Sequence, residues 1–328
     1  MEDYESTFKH YTSIVDDKLQ ELIKERKPKN LYLPIEYILL ESGKRIRPLL
    51  CMLACEATGG DPYEAVDAAT AIEIMHNFTL VHDDIMDNSP VRRGKATIHT
   101  KWNLPTAILS GDAMVGLALE ILTNYSNLTN FGRIIEQFAH AYLEVCEGQA
   151  LDIMYNSKQD VTSEEYFTMI QKKTSAVIQA SLILGGLCSG AVEEDIEALK
   201  EFGLNLGIGF QLQDDLLDLT ATKEKFGKRI GNDILEKKKT LIIITAKDRA
   251  KSEKEKALIE KIFSNEPIEM DTIPEYISMF EKMGIFEDIK KTIDLYFDKA
   301  SSALNSLAKN DGTRMLKYLL DKINARSY

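Results

Sequence analysis

Apolar residues along this chain recur mostly at spacings of three and four, and this helical period restricts the possible folds more than any other feature. One stretch places Ala65, Ala68, Ala69, Ile72 and Met75 at such intervals. Alternating patterns typical of strands are nearly absent, and only 8 Pro and 18 Gly interrupt the 328 residues. With no composition shift, linker or repeat, the pattern predicts an all-α protein, folded as a single large helical bundle over residues 1–328.

Local signals mark several helix starts. Asp61-Pro62 combines an N-cap residue with a proline at the first helical position, and capping boxes span residues 162–165 and 252–255. The β-branched run from Leu241 to Thr245 is predicted to be a buried helical segment, because no partner strands are in sight. The run Lys237-Lys238-Lys239 would ordinarily be a solvated face.

Two polar loops are predicted to interrupt the bundle, at residues 88–103 and 220–233. The first carries Arg92, Arg93 and Lys95, and the second carries Lys225 and Lys228. Loops of this length inside a compact bundle are more often functional than idle.

The charge balance excludes several functions. The chain has 40 basic and 52 acidic residues, a net charge of −12, which argues against nucleic acid or an anionic membrane as the main partner. Its four cysteines form neither a CxxC pair nor a zinc spacing. No run of about 18 apolar residues and no basic N-terminal leader is present. We therefore expect a soluble, cytoplasmic protein without stable membrane insertion.

The strongest chemical signal is a motif D-D-x-x-D that occurs twice. Its acids are Asp83, Asp84 and Asp87 in the first copy, and Asp214, Asp215 and Asp218 in the second. On a helix, carboxylates three and four residues apart lie near one stripe. Clustered acids beside apolar sequence repel one another, so a hard divalent cation such as Mg²⁺ is the natural compensation.

A single copy of this motif would be more simply explained as a solvated acidic helix face. Two copies, each embedded in apolar sequence and each followed by basic residues, favour another interpretation. Acid stripes that face each other across a central cavity, with metal ions and lysines or arginines, would bind a diphosphate.

A second basic cluster precedes the first acid motif. Lys44 and Arg47 are three residues apart and share a face, whereas Arg45 points elsewhere. His76 lies two helical turns before Asp83. Each is weak alone, since a charged helix start and a packed histidine are common, but together with Arg93 they indicate a second anion site.

The motifs GKRIRP, HDDIMD, RRGKAT, KKTSA, FQLQDDLLD and FGKRIGND occur in this order between about residues 43 and 240. This combination resembles the trans-type isoprenyl diphosphate synthases, also called polyprenyl synthetases. The resemblance implies an isoprenoid synthase-like fold, a homodimer, and magnesium-dependent, head-to-tail condensation of isopentenyl diphosphate with an allylic diphosphate. Pyrophosphate would be released without a covalent nucleophile.

The resemblance also implies roles residue by residue. The ligands of three magnesium ions would be Asp83, Asp84, Asp87, Asp214 and Asp218, with Asp215 acting through a neighbouring group. The allylic diphosphate would bind Arg92, Lys173, Lys228 and Lys238, and isopentenyl diphosphate would bind Lys44, Arg47, His76 and Arg93. Oxygens of Thr174 and Gln211 would lie near the allylic C1. The catalytic set would be Asp83, Asp84, Asp87, Lys173, Thr174, Gln211, Asp214 and Lys228.

Product length in this family depends partly on the residue five positions before the first aspartate. Here that residue is Phe78, followed by Thr79. Phe78 lies roughly 7.5 Å along the helix from Asp83, where its ring would stop a growing chain. We predict products of C15–C20, favouring C20 geranylgeranyl diphosphate over farnesyl diphosphate. Ordinary core packing is the alternative explanation of Phe78.

Two other functions stay open. A class I terpene cyclase also uses a helical bundle with an aspartate-rich magnesium site, but it usually has a different second motif and lacks an isopentenyl site. A non-catalytic regulatory subunit or scaffold of a prenyltransferase would have lost an acid motif or a diphosphate-binding cation, and every matched position is intact here.

Overall fold

Helices dominate the computed structural model, which describes residues 4–41, 43–220, 230–264 and 266–325. The α-helices are α1 Tyr4–Ile23, α2 Lys29–Leu39, α3 Ile46–Ala57, α4 Val66–Met86, α5 Ile98–Lys101, α6 Leu104–Leu122, α7 Phe131–Ser157, α8 Ser163–Ile170, α9 Ala176–Cys188, α10 Glu193–Thr220, α11 Asn232–Leu235, α12 Leu241–Arg249, α13 Glu253–Phe263, α14 Ile273–Lys282, α15 Ile285–Ala303 and α16 Asp311–Asn324. The prediction of an all-α protein is confirmed.

Shorter elements join these helices. The 3₁₀ turns are Pro62–Ala65, Thr123–Tyr125, Met270–Thr272 and Leu304–Ser306, and a π-helical segment spans Gln171–Ser175. The capping boxes of Thr162 with Glu165 and of Ser252 with Glu255 are formed as predicted. Leu241 begins a helix whose first four residues are buried, so that prediction is confirmed as well.

The predicted loop at residues 88–103 contains regular structure. Strands β1 (Val91–Arg92) and β2 (Lys95–Ala96) pair antiparallel, and helix α5 follows. Arg93 and Gly94 have φ values of 50° and 79°, which suit a two-residue hairpin turn. The sequence analysis missed this hairpin because two-residue strands carry no periodic signal. Of the second predicted loop, residues 221–229 lie outside the described part of the chain.

The chain divides into two compact units, each built from separate segments. Unit 1 comprises Met1–Leu143, Val177–Glu201 and Ala303–Tyr318. Unit 2 comprises Glu144–Ala176, Phe202–Ser302 and Leu319–Tyr328. The first acid motif belongs to unit 1 and the second to unit 2. That the whole chain is one domain stays a prediction.

Each unit has its own apolar core. In unit 1, α4 packs against α3 and α6 and buries Ile72 and Met75 completely or nearly so. In unit 2, Tyr166, Tyr276 and Phe280 are fully buried. One helical stretch, Leu104–Tyr125, is long and apolar enough to cross a membrane by length and composition, with 44% of its apolar window buried. Core helices of soluble proteins also have this length and composition.

Candidate active site

The three acids of the first motif have unlike surroundings at the end of α4. Asp84 is only 3% exposed, and its Oδ1 accepts a hydrogen bond of 2.7 Å from Nε of Arg92 on β1. Burial raises the pKa of Asp84 above its ordinary value, although Arg92 acts in the opposite direction. Asp83 is partly buried, and Asp87 is exposed as the residue that ends the helix. The hairpin therefore brings one of the predicted diphosphate ligands to one of the predicted metal ligands.

Cations surround His76 in unit 1. Nη1 of Arg47 lies 3.3 Å from Nε2 of His76. Burial lowers the pKa of His76 well below its usual value, and the guanidinium groups of Arg47 and Arg93 lower it further. A Cβ placed on Gly43 would lie 3.5 Å from Nη1 of Arg93, so that guanidinium lies beside the residue preceding Lys44. The structure thus brings Arg47, His76 and Arg93 into one positively charged neighbourhood that suits an anion.

Arg45, the unassigned basic residue of GKRIRP, anchors this loop. It has a φ of 46° and is 5% exposed. Its guanidinium donates hydrogen bonds to Asp16 at 2.8 Å, to Glu73 at 2.6 Å and to two backbone carbonyls. Its ion pairs with Asp16 of α1 and Glu73 of α4 hold the turn between Lys44 and Arg47.

Phe78 lies in an aromatic cluster of unit 1. Its side chain is 5% exposed, and its ring centroid lies 4.7 Å from that of His82 and 5.4 Å from that of Tyr142. Gly111 makes room for this cluster, because a Cβ there would come within 2.2 Å of Nε2 of His82. Thr79 donates its hydroxyl proton to the backbone carbonyl of His76 at 2.7 Å. Phe78 is therefore buried against the rings of His82 and Tyr142, and its role in chain length stays a prediction.

The second motif lines a cavity of about 200 Å³ in unit 2. Asp215 and Asp218 are 7% and 8% exposed, and Asp214 is partly buried. The lining residues are Asp152, Tyr166, Met169, Ile170, Lys173, Thr174, Gln211, Asp214, Asp215, Asp218, Asp233, Lys238, Lys239 and Thr240. Six of the predicted site residues and Asp215 therefore meet at one cavity, together with residues that the sequence analysis missed.

Lys173 and Thr174 reach this cavity from the π-helical segment. A Cβ on Gly148 of α7 would lie 2.3 Å from the backbone nitrogen of Lys173, and one on Gly207 of α10 would lie 2.5 Å from Oγ of Ser175. The absence of side chains at Gly148 and Gly207 therefore lets α7 and α10 pack closely against the π-helical segment. Such π-helical turns are frequent at functional sites. Nζ of Lys173 pairs with Asp152 at 2.5 Å.

Lys238 reaches the cavity after α11. Its Nζ lies 2.9 Å from Glu236 and 3.7 Å from Asp233. Burial disfavours the charged ammonium, yet Asp233 and Glu236 outweigh it and raise the pKa of Lys238 above its ordinary value. Asp218 fixes this corner, because its Oδ2 accepts a 3.0 Å hydrogen bond from the backbone nitrogen of Asp233. Lys228 lies outside the described residues.

The lysine run is less solvated than its composition suggests. Lys239 is 5% exposed and donates to the backbone carbonyls of Lys237 and Ile262. Burial, with help from Lys237 and Lys247, lowers the pKa of Lys239 to about 8. The expectation of a solvated face is therefore wrong for Lys239, since the backbone carbonyls it contacts could not be read from the sequence.

Hydrogen bonds connect four side chains along one edge of the cavity. Oγ1 of Thr174 donates to Oε1 of Gln211 at 2.8 Å, and Nε2 of Gln211 donates to Oδ1 of Asp215 at 2.8 Å. The hydroxyl of Tyr166 donates to Oδ2 of Asp215 at 2.6 Å. Burial raises the pKa of Asp215, and Asp233 raises it further. The two predicted groups near the reacting carbon, Thr174 and Gln211, are thus directly bonded.

The donor set of the cavity fits a hard divalent cation. Asp214 and Asp218 offer carboxylate oxygens four residues apart on α10, with Lys173 and Lys238 around the same cavity. Within the described ranges, no group of three or more His, Cys, Asp and Glu side chains forms a complete metal-binding cluster. Mg²⁺ does not need one, because it is usually held by one or two carboxylates together with water and substrate phosphates.

Among the lining residues that received no role in the sequence analysis, Asp152, Asp233 and Tyr166 contact the predicted site residues directly. Asp152 lies four residues after Gly148, on the same face of α7, and its spacing from that glycine was the available signal. Asp233 belongs to the quoted segment FGKRIGND but received no role. Tyr166 carries no local signal, since a tyrosine in an amphipathic helix ordinarily packs in the core.

A bundle of helices with two aspartate motifs, each beside basic side chains, is the architecture of the isoprenoid synthases. A sequence model described as polyprenyl synthetase matches residues 28–280. The chain belongs to the polyprenyl synthetase family. It is 35% identical over 318 residues, covering 97% of both chains, to a short chain isoprenyl diphosphate synthase of Methanothermobacter thermautotrophicus. It is 36% identical over 321 residues, covering 98% of this chain and 97% of the relative, to a geranylgeranyl diphosphate synthase of Methanosarcina mazei.

Solved structures agree with these relatives. The geranylgeranyl pyrophosphate synthetase of Pyrococcus horikoshii superposes with a TM-score of 0.92 at 36% identity, covering 99% of each chain. A geranylgeranyl pyrophosphate synthase of Corynebacterium glutamicum, complexed with isoprenyl diphosphate and magnesium, gives a TM-score of 0.89 at 25% identity, covering 98% of this chain and 99% of that one. The isoprenoid synthase-like fold and the predicted family are therefore confirmed.

Proposed function

We propose that this protein is a magnesium-dependent prenyltransferase that condenses isopentenyl diphosphate with allylic diphosphates and releases pyrophosphate. The observation that carries the proposal is the cavity of unit 2, where Asp214 and Asp218, two lysines and the bonded pair Thr174–Gln211 meet. The product is a short all-trans chain of C15–C20, with C20 geranylgeranyl diphosphate as the main product. The names of the relatives support this length.

In unit 2, Lys173 and Lys238 bind the allylic diphosphate, and Lys228 is proposed to join them. Their acid partners, Asp152 for Lys173 and Glu236 for Lys238, hold the ammonium groups in place. An incoming diphosphate competes for these ammonium groups and gains charge-assisted hydrogen bonds. Lys173 and Lys238 would therefore already contact the diphosphate before the C–O bond breaks and the pyrophosphate gains its full negative charge.

In unit 1, Lys44, Arg47, His76 and Arg93 bind isopentenyl diphosphate, and Arg92 binds the allylic diphosphate. Burial lowers the pKa of His76, and the nearby guanidinium groups lower it further; an anion bound here would offset that concentration of positive charge. Arg92 must share its guanidinium between Asp84 and a phosphate oxygen, which its five N–H donors permit.

Of three magnesium ions, two are proposed to bind Asp83, Asp84 and Asp87 in unit 1, and the further ion is proposed to bind Asp214 and Asp218 in unit 2. When bound, they neutralise the charge that develops on the departing pyrophosphate. The chain's own residues then supply position: lysines hold the diphosphate oxygens, and the oxygens of Thr174 and Gln211 lie beside the allylic carbon as it becomes positive.

The reaction needs no covalent nucleophile. The allylic C–O bond breaks, the double bond of isopentenyl diphosphate forms a C–C bond to the allylic C1, and a proton leaves the new chain for the departing pyrophosphate. Apolar walls such as Met169 and Ile170 keep water from the cation.

A product assay tests this proposal. The purified protein is incubated with magnesium, labelled isopentenyl diphosphate and, separately, C5, C10 and C15 allylic primers, and chain length is read by mass spectrometry. We expect a C20 end point. Absence of elongation with every primer would favour a cyclase or a non-catalytic subunit instead.

The same assay tests the chain-length role of Phe78 and Thr79. Removing the ring in Phe78→Ala opens space beside His82 and Tyr142, so we expect products beyond C20. Ile72→Ala is the matched control, because Ile72 is also buried and lies on another face of α4. Each variant should lose about 2–5 kcal/mol of stability, but only the first should lengthen the product. An unchanged product distribution in a folded Phe78→Ala would refute the role.

The working protein is further proposed to be a cytoplasmic homodimer. Helix α6 supports this assembly, since Leu104, Ile108, Leu109 and Leu119 are large apolar side chains of unit 1 that are exposed in the single chain. Such a face costs free energy in water unless a partner covers it. The molar mass in solution tests this part of the proposal.

A further inference from the structure

We infer that Tyr166 is a positioning residue for the proposed prenyl transfer, acting through Asp215 and Gln211 on Thr174. This inference rests on the proposed function. Tyr166 is fully buried, and its hydroxyl donates to Oδ2 of Asp215 at 2.6 Å. Asp215 is not one of the proposed metal ligands of α10, so this hydrogen bond connects Tyr166 to the reaction through Asp215 and its neighbour Gln211.

The bonded residues form one stripe of α10. Gly207, Gln211 and Asp215 follow one another at intervals of four residues, so they face the same side of the helix. Opposite them lies the continuous stretch of α8 and the π-helical segment, which supplies Tyr166, Thr174 and Ser175. This stripe is held at both ends, by the close approach of Gly207 to Ser175 and by the bond from Tyr166 to Asp215.

Asp214 and Asp218 form a neighbouring stripe of the same helix. They are four residues apart, and Asp214 is turned by about 100° and Asp218 by about 60° from Asp215 around the helix, both toward the same side. Both oxygens of Asp215 accept hydrogen bonds within the protein, one from Gln211 and one from Tyr166. The second motif thus divides its acids between two tasks: Asp214 and Asp218 for the metal, and Asp215 for the orientation of Gln211.

The direction of these hydrogen bonds determines what Thr174 offers to the substrate. Nε2 of Gln211 donates to Oδ1 of Asp215, so the NH₂ end of the amide faces that acid. The carbonyl end of the amide then faces Thr174, whose hydroxyl proton it accepts. Because its proton is engaged, Thr174 presents lone pairs to its surroundings, and an oxygen of that polarity stabilises a developing allylic cation.

Tyr166 holds the carboxylate that enforces this order. Without its hydroxyl, Asp215 keeps a single donor and can rotate, and the polarity of Gln211 and Thr174 is no longer fixed. The prediction is a loss of turnover in Tyr166→Phe of about 10-fold or more, the size typical of groups that orient reacting ligands. The KM for isopentenyl diphosphate should stay within about two-fold, since its proposed ligands belong to the other unit.

The matched control is Tyr276→Phe. Tyr276 is also fully buried in unit 2, and its hydroxyl donates to the backbone carbonyl of Leu258 at 3.0 Å. It is not among the residues that line the cavity. Both variants lose one buried hydrogen bond, so both should unfold at similar temperatures, but only Tyr166→Phe should lose turnover.

A double-variant comparison separates positioning from general support of the fold. If Tyr166 acts through Gln211, Tyr166→Phe should cost less than about two-fold in turnover when Gln211→Ala is already present. An equal fold-loss in both backgrounds, or an equal loss in Tyr276→Phe, would overturn the inference while leaving the proposed function intact. If Tyr166→Phe does not fold, Asp215→Asn replaces it in the same comparison. Failure of the unaltered protein to elongate any primer would overturn the proposed function, and the inference with it.

Discussion

At the scale of single residues, the two aspartate motifs are identical in spacing and different in use. Asp84, the second acid of the first copy, pairs with Arg92, whereas Asp215, the second acid of the other copy, is held by Tyr166 and Gln211. That the acids of each copy lie near one stripe of a helix could be predicted, because helical geometry follows from their spacing. Which carboxylate accepts hydrogen bonds from other side chains could not be predicted, because Arg92 and Tyr166 belong to other elements and no pattern within the motif indicates them.

His76 gives the pH dependence that this scale predicts. Its pKa is well below the ordinary value in the folded protein, so below about pH 6.5 the unfolded chain binds a proton that the folded chain refuses. The contribution of His76 to stability is therefore full above that pH and declines as the pH falls. Relative to His76→Gln, the unaltered protein should lose up to about 2 kcal/mol between pH 7.5 and 5.

Denaturant unfolding at several pH values measures this difference. His140→Gln, at an exposed position of α7, controls for the general effect of losing a histidine. If the stabilities of the unaltered protein and His76→Gln stayed parallel across the pH range, the charge field around His76 would be weaker than the geometry indicates.

At the scale of elements, the sequence predicts a helix well where its own ends signal it, and poorly where distant contacts shape it. The capping box at Thr162 and the helix from Leu241 follow from local chemistry. The π-helical turn at Gln171–Ser175 does not, because it depends on how closely Gly148 and Gly207 let two other helices approach. The hairpin beside Arg92 is likewise too short to leave a pattern.

Gly148 supplies the element-scale prediction. In Gly148→Ala the new methyl would lie 2.3 Å from the backbone nitrogen of Lys173, so the π-helical turn must shift. We expect a loss of about 1–3 kcal/mol in the free energy of unfolding, as is usual for overpacking, and a loss of activity as Lys173 and Thr174 move. Both are measured by denaturant unfolding and by steady-state kinetics.

Gly132→Ala is the control on the same helix, because nothing lies within 4 Å of a Cβ at Gly132. It should leave activity unchanged and be neutral or stabilising by up to about 1 kcal/mol. Equal behaviour of the two variants would show that the approach of α7 to Lys173 is not needed.

At the scale of the whole molecule, the net charge of −12 says little about its ligands. Each unit gathers its own cations beside its own acid motif: Arg92 lies against Asp84 in unit 1, and Lys173 and Lys238 line the cavity with Asp214 in unit 2. The family and helical class could be predicted because motif order and periodicity are properties of the sequence. The division into units built from separate segments could not, since it arises from contacts between distant parts of the chain.

This distribution of charge predicts how ligands stabilise the molecule. The cavity of unit 2 is lined by both acids and lysines. Mg²⁺ and pyrophosphate should therefore bind there more tightly together than either does alone, because each ligand neutralises the charge that repels the other. With the magnesium–pyrophosphate complex, taken as one ligand, at about 100 times its dissociation constant, the folded state should gain about 2.7 kcal/mol, and the unfolding temperature should rise by several degrees. Chelation of the metal should remove most of this gain.

Asp214→Asn should also remove the gain in stability, whereas Glu194→Gln, at an exposed acid on the same helix, should retain it. A full gain in Asp214→Asn would exclude that carboxylate from the metal site, and no gain in the unaltered protein would favour a scaffold that has kept the fold without the binding chemistry.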